Sequence, residues 1–149
     1  TSLVMSLLFS CAGSKQGHEP KLKTYNLGKC AEFDVINTIP RLLRKFQFIM
    51  MHNYDTGAYR TIETEWKTRF PMEDEVEIGI TDAKMRLFFR MRKTMDQLFY
   101  VQLEVQNMVR TPDARDWFHS PMTKNVEDDI MRMVDELKQE FEEGRLRRR

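Results

Sequence analysis

The chain has 149 residues, 41% of them hydrophobic and 32% charged. That length holds one domain with its own core, needing no disulfide or metal staple, and the composition excludes a disordered chain. Basic residues number 24 and acidic residues 23, a formal charge of +1, so no overall basic field exists to hold nucleic acid. Two cysteines cannot build a disulfide scaffold.

Residues 1–10 carry no charge and are mostly small or apolar. The run is too short to span a bilayer, which takes roughly 20 apolar residues. It is the right size for part of a secretory signal. The chain opens on Thr1 rather than Met, and the expectation is that a few residues precede it. The sequence Leu8-Phe9-Ser10-Cys11 resembles the lipobox of bacterial lipoproteins, with Leu three residues before the cysteine and a small residue just before it. The resemblance implies that residues 1–10 are a signal remnant and that Cys11 begins the mature protein and carries lipid. Several acyl chains on Cys11 would anchor it durably, where one alone binds a membrane only marginally. Ala12 follows Cys11, which favours the periplasmic face of the outer membrane. Residues 11–28 then read as the lipidated cysteine and a flexible tether. With Cys11 acylated, no intrachain disulfide is expected, and Cys30 reads as a small buried hydrophobe.

The domain is expected over residues 29–143. Asp34 is a candidate helix cap, and Val35, Ile39, Leu42, Leu43 and Phe46 recur on one helical face. Pro40 should kink that helix or shorten it from the front. Phe48–Tyr54 is a strand candidate, and Asp55-Thr56-Gly57 supplies turn chemistry. In Tyr59–Lys67, Ile62, Thr64 and Trp66 alternate with Thr61, Glu63, Glu65 and Lys67, as in a half-buried strand. Thr68–Ala83 reads as a long acidic hairpin connection, with a short strand at Val76–Ile80.

The next stretch alternates most cleanly. Met85, Leu87, Phe89 and Met91 share one face, and Lys84, Arg86, Phe88, Arg90 and Arg92 share the other. After a turn, Phe99, Val101, Leu103 and Val105 alternate with Tyr100, Gln102, Glu104 and Gln106, so these two strands should form a hairpin. Thr111–Pro121 is a loop that Trp117 and Phe118 should pin to the core edge. Asn125 is a candidate cap for a last helix, whose apolar face is Val126, Ile130, Met133, Val134, Leu137 and Phe141. Gly144 is its expected stop, and residues 144–149 form a basic tail. Without the tail's four arginines the chain would be mildly acidic.

The expected fold is α+β, a four-stranded antiparallel meander with two helices packed on one face, in the order helix, strands, helix. Its core face is Ile62, Trp66, Leu87, Phe89, Val101 and Leu103. Most of the 11 methionines stand at apolar-face positions and read as flexible core filling rather than a copper site.

The succession of a helix, Tyr54-Asp55-Thr56-Gly57, Ile62-Glu63-Thr64-Glu65-Trp66, a basic strand, Tyr100-Val101-Gln102-Leu103-Glu104-Val105, and Trp117 before a last helix resembles small bacterial outer-membrane lipoproteins. Their domain is similar to that of the barrel-assembly lipoprotein C. The resemblance covers residues 34–141, and the acidic connection at 73–77 departs from it. It implies a non-enzymatic accessory protein on the periplasmic side of the outer membrane.

No catalytic or metal motif is visible. His18, His52 and His119 lack metal-ligand spacing, and Asp113, Asp116 and His119 fall in a proline-bracketed loop. No cofactor is expected. The polar face of the sheet is the candidate site: Arg86, Phe88, Arg90, Arg92 and Tyr100 offer arginines and aromatics to a protein partner. Cross-strand pairing of these arginines with Glu63, Glu65 and Glu104 accounts for the same residues without any partner. The function read here is a lipid-anchored envelope protein, held to the membrane through Cys11, that acts in assembly or scaffolding by binding another envelope protein without engaging nucleic acid. The alternative is a soluble ligand- or nucleic-acid-binding module using the basic strand 84–93. Oligomeric state is not legible.

Overall fold

The computed structural model describes residues 22–147. The stretch expected to be a signal remnant (1–10), Cys11 and the last two arginines lie outside the described residues.

The first element among the described residues is β1 (Lys23–Cys30), most of it in the stretch read as a tether. A π-helical turn at Asp34–Thr38 leads into α1 (Ile39–Lys45). Pro40 explains that turn. In an unbroken α-helix its ring would press on the carbonyl of Ile36, and the wider π turn relieves the contact. Asp34 is buried there, accepting hydrogen bonds from Thr38 Oγ1 at 3.0 Å and from the Ala31 amide at 3.3 Å.

Three strands follow: β2 (Met50–Asp55), β3 (Tyr59–Thr64) and β4 (Lys67–Arg69). Gly57, at φ +83°, turns β2 into β3. Next come α2 (Glu73–Glu77), the long hairpin of β5 (Asp82–Lys93) and β6 (Phe99–Arg110), the two-residue β7 (Phe118–His119), and α3 (Lys124–Leu146). The hairpin pairs from Asp82 opposite Arg110 to Lys93 opposite Phe99, as the alternation predicts.

These elements correct the expected four-stranded meander with two helices. Among the described residues the sheet has seven antiparallel strands, five of them in the order β1-β6-β5-β3-β2, and three α-helices accompany it. β4 continues the β3 row along β5, and β7 continues the β1 row along β6. Each missed strand lacks the two-residue period. In β1 a bulge between Asn26 and Gly28 breaks the register, so Leu27 and Cys30 are both buried although three residues apart. β7 is too short to show any period.

The break between β3 and β4 also reverses which side chains face the core. Ile62 and Thr64 are buried as expected. Beyond the break, Lys67 lies opposite Met85 on the core face, while Trp66 meets Lys84 and Arg86 on the other face. Trp66 is therefore not a core residue. The other five expected core-face residues, Ile62, Leu87, Phe89, Val101 and Leu103, are fully buried.

All six apolar-face residues expected of α3 are buried against the same cluster, with Val35, Ile39, Leu42 and Leu43 beside them. Such side chains stabilise the fold by about 1.5–3 kcal/mol each. No helix among the described residues is long and apolar enough to cross a membrane.

The acidic connection proves to be structural. α2 and the turn after it stand where a short strand at Val76–Ile80 was expected, and Glu75 of α2 is fully buried. It accepts from Arg69 Nη1 at 2.6 Å and Nη2 at 2.8 Å, and from the Met72 amide at 2.9 Å. Arg69 Nη2 also donates to Asn107 Oδ1 at 2.9 Å. Its neighbour Asp74 caps α3, accepting from Thr123 Oγ1 and from the Asn125 amide, both at 2.9 Å. Asn125 thus lies inside the helix, whose cap position is Thr123.

Gly144 does not stop α3, which runs on to Leu146. It is a point of close approach: a Cβ there would meet Asp34 Oδ2 at 3.0 Å and Oδ1 at 3.1 Å. Glycine to alanine inside a helix ordinarily stabilises by up to about 1 kcal/mol. Here the sign reverses, because the buried Asp34 carboxylate is held by its own hydrogen bonds. Gly144→Ala is expected to lower the melting temperature by several degrees. A raised melting temperature would show that the two segments part freely.

Candidate functional site: the open face of the sheet

The helices cover one face of the sheet, and the even-numbered residues of β5 and β6 emerge on the other. Residues two apart on a strand share a face, so Asp82, Lys84, Arg86, Phe88, Arg90 and Arg92 stand in one row. The rings of Trp66 and Trp117 flank that row. Trp117 does not pin its loop to the core edge, and Phe118 is 42% exposed.

The result is a ladder of alternating cations and rings. Arg110 lies 5.0 Å from the Trp117 centroid, and Lys84 lies 4.4 Å from Trp117 and 4.8 Å from Trp66. Arg86 lies 4.7 Å from Trp66 and 4.8 Å from Phe88, and Arg90 closes the series 5.9 Å from Phe88. Each contact joins a cation to the negative face of a ring, worth about 0.5–1 kcal/mol at exposed sites.

Three carboxylates engage part of the positive charge. Arg86 bridges Glu63 at 3.0 Å, Arg90 bridges Glu104 at 2.8 Å, and Arg110 bridges Asp82 at 3.2 Å. Arg86 Nε also donates to Gln106 Oε1 at 2.6 Å. Hydrogen bonds from Arg110 and Thr81 hold the Asp82 carboxyl below its ordinary pKa. Lys84 and Arg92 have no carboxylate within 4.0 Å among the described residues, so the face keeps a positive excess. Glu65, expected beside the arginines, is exposed outside the strands.

The structure thus unites Arg86, Phe88 and Arg90 in the ladder. It places Arg92 and Tyr100 directly opposite each other at its end, where they line a shallow depression of about 310 Å³ with Tyr59, Arg90 and Gln102. Tyr59 is 61% exposed there. Trp66, Trp117, Lys84 and Arg110 were not among the expected site residues. Lys84 was legible in the row of β5, and Arg110 follows once β6 is extended to its full length. The two tryptophans were not, because nothing in their local sequence tells a core ring from a ring seated on the other side.

No group of three or more His, Cys, Asp or Glu that could hold a metal occurs among the described residues. Asp113 and Asp116 are exposed on their loop, and His119 Nε2 lies 3.4 Å from Gln106 Nε2. What the arrangement offers chemically is a cationic, ring-lined surface, with guanidinium groups held by rings and carboxylates. The sequence matches no protein-family model and none of the curated proteins searched.

The ladder carries a measurable coupling. A double-mutant cycle of Lys84→Met and Trp117→Ala, followed by urea unfolding, is expected to give about 0.5–1 kcal/mol of interaction energy. A strictly additive cycle would show that the rings and cations are mere neighbours.

Proposed function

We propose that this chain is a non-enzymatic, lipid-anchored protein of the bacterial cell envelope that docks another envelope protein on the open face of its sheet. The observation that carries this reading is the cation–aromatic ladder on the face that no helix among the described residues covers. Arginine with aromatic rings is the composition of binding hot spots. The excess of cations favours a partner whose matching surface is acidic. Nucleic acid is the less favoured ligand. Three carboxylates share the face and would repel phosphates, and Lys84 and Arg86 already lie against the Trp66 ring that a base would need.

Attachment rests on the lipobox-like sequence ending at Cys11, and the resemblance to outer-membrane lipoproteins accords with it. A durable anchor would hold the domain at the periplasmic face of the outer membrane, where its partner would also reside.

Two measurements test the two halves separately. Chemical cross-linking in intact cells should join the chain to an envelope protein. Phe88→Ala with Arg90→Glu should abolish that product while the melting temperature stays within a few degrees. An undiminished product would overturn docking on this face. Mass spectrometry of the mature N-terminus should find an acylated Cys11, and an unmodified Cys11 in a membrane fraction would overturn the anchor.

A further inference from the structure

On the other side of the sheet, a cavity of about 440 Å³ opens between β4 and α3. That is within the range of small-molecule sites. Phe48, Met85, Ile130 and Met133, all buried core residues, supply apolar wall. Phe70, also in its lining, is 93% exposed.

Two cations share this lining. Lys67 Nζ donates to the Phe46 carbonyl at 2.7 Å and lies 4.7 Å from the Phe48 ring centroid. No carboxylate comes within 4.0 Å of it among the described residues. Asp129 lines the cavity too, but its carboxylate is bridged by Arg132. Arg69, 10% exposed, spends both Nη atoms on Glu75 and Asn107. Its Nε is buried with no acceptor. Burial lowers the Lys67 pKa and the Arg69 charge adds to the lowering, against the pull of Asp129. The ammonium therefore sits in a largely apolar recess with no carboxylate bridged to it, Asp129 acting on it only from beyond 4.0 Å. An apolar wall with a cation that no carboxylate bridges is the complement of a molecule with an apolar body and one negative head.

We propose that this cavity binds a small amphipathic carboxylate, with its headgroup at Lys67 and its apolar body against Met85 and Met133. The site lies apart from the open face and does not depend on the docking reading.

The test is calorimetric titration of the intact chain with laurate and with dodecanol, the same chain length without the charge. Laurate should bind one to one, and dodecanol at least about tenfold more weakly. Lys67→Met should weaken laurate by about tenfold and leave dodecanol unchanged, while Lys67→Arg should restore most of the laurate affinity. In methyl NMR spectra laurate should shift the signals of Met85 and Met133, and not that of Met95 in the β5–β6 turn. Absence of laurate binding, equal affinity for laurate and dodecanol, laurate affinity unchanged in Lys67→Met, or shifts confined to methionines outside the cavity would each overturn the proposal. Should Lys67→Met fail to fold, the comparison of laurate with dodecanol on the unaltered chain decides.

Discussion

The two-residue period of the β5–β6 hairpin is the constraint on which the remaining structure depends. Every odd-numbered residue from Ala83 to Met91 is buried, and its even-numbered neighbours rise on the opposite side. One face makes the core to which α1 and α3 bind. The other makes the ladder. A slip of one residue would turn Lys84, Arg86, Arg90 and Arg92 into the core together, a burial of charge that no packing gain could offset. The same pattern therefore fixes the register and creates the surface.

The α+β class, the hairpin and the apolar faces of α3 and of α1 with the turn before it were legible in the sequence because each repeats a period over two or more turns or pleats. What was not legible lacks such a period. The bulge in β1 puts Leu27 and Cys30 on one side despite odd spacing, so the strand reads as unpatterned chain. The break at Glu65 and Trp66 inverts the parity that Ile62 and Thr64 establish, which is why Trp66 reads as core. In α2 a single helical turn is too short to show amphipathicity, and an acidic run conceals that one of its members is interior. On the candidate site, Arg86, Phe88 and Arg90 follow from alternation alone. Trp117 needed the tertiary path of its loop.

The two acidic neighbours of α2 divide one structural task. Glu75 joins β4 and, through Arg69 and Asn107, β6, while Asp74 satisfies the amide end of α3. Buried ion pairs add little net stability over apolar packing, but removing one partner strands the other, at a cost of about 3–5 kcal/mol. Their value here is positional. They fix where α3 begins, and with it the alignment of Ile130 and Met133 over the sheet and the mouth of the cavity between them and β4.

The two margins of the sheet are unequal. β1 runs along α3, which contributes to its burial, and a Lys23–Glu127 bridge at 2.9 Å ties the two together. β2 has every residue exposed, and among the described residues its only sheet neighbour is β3. Local stability therefore falls in a gradient from one edge to the other, and thermal fraying enters at β2. Its outer amides and carbonyls form an unfinished margin, flanked by the exposed Ile49, Met50, Met51 and Tyr54. The bulge between Met50 and His52 breaks the straight run that a further strand would need to zip onto it. That one irregularity serves as a guard against edge-to-edge polymerisation where the fold is least protected.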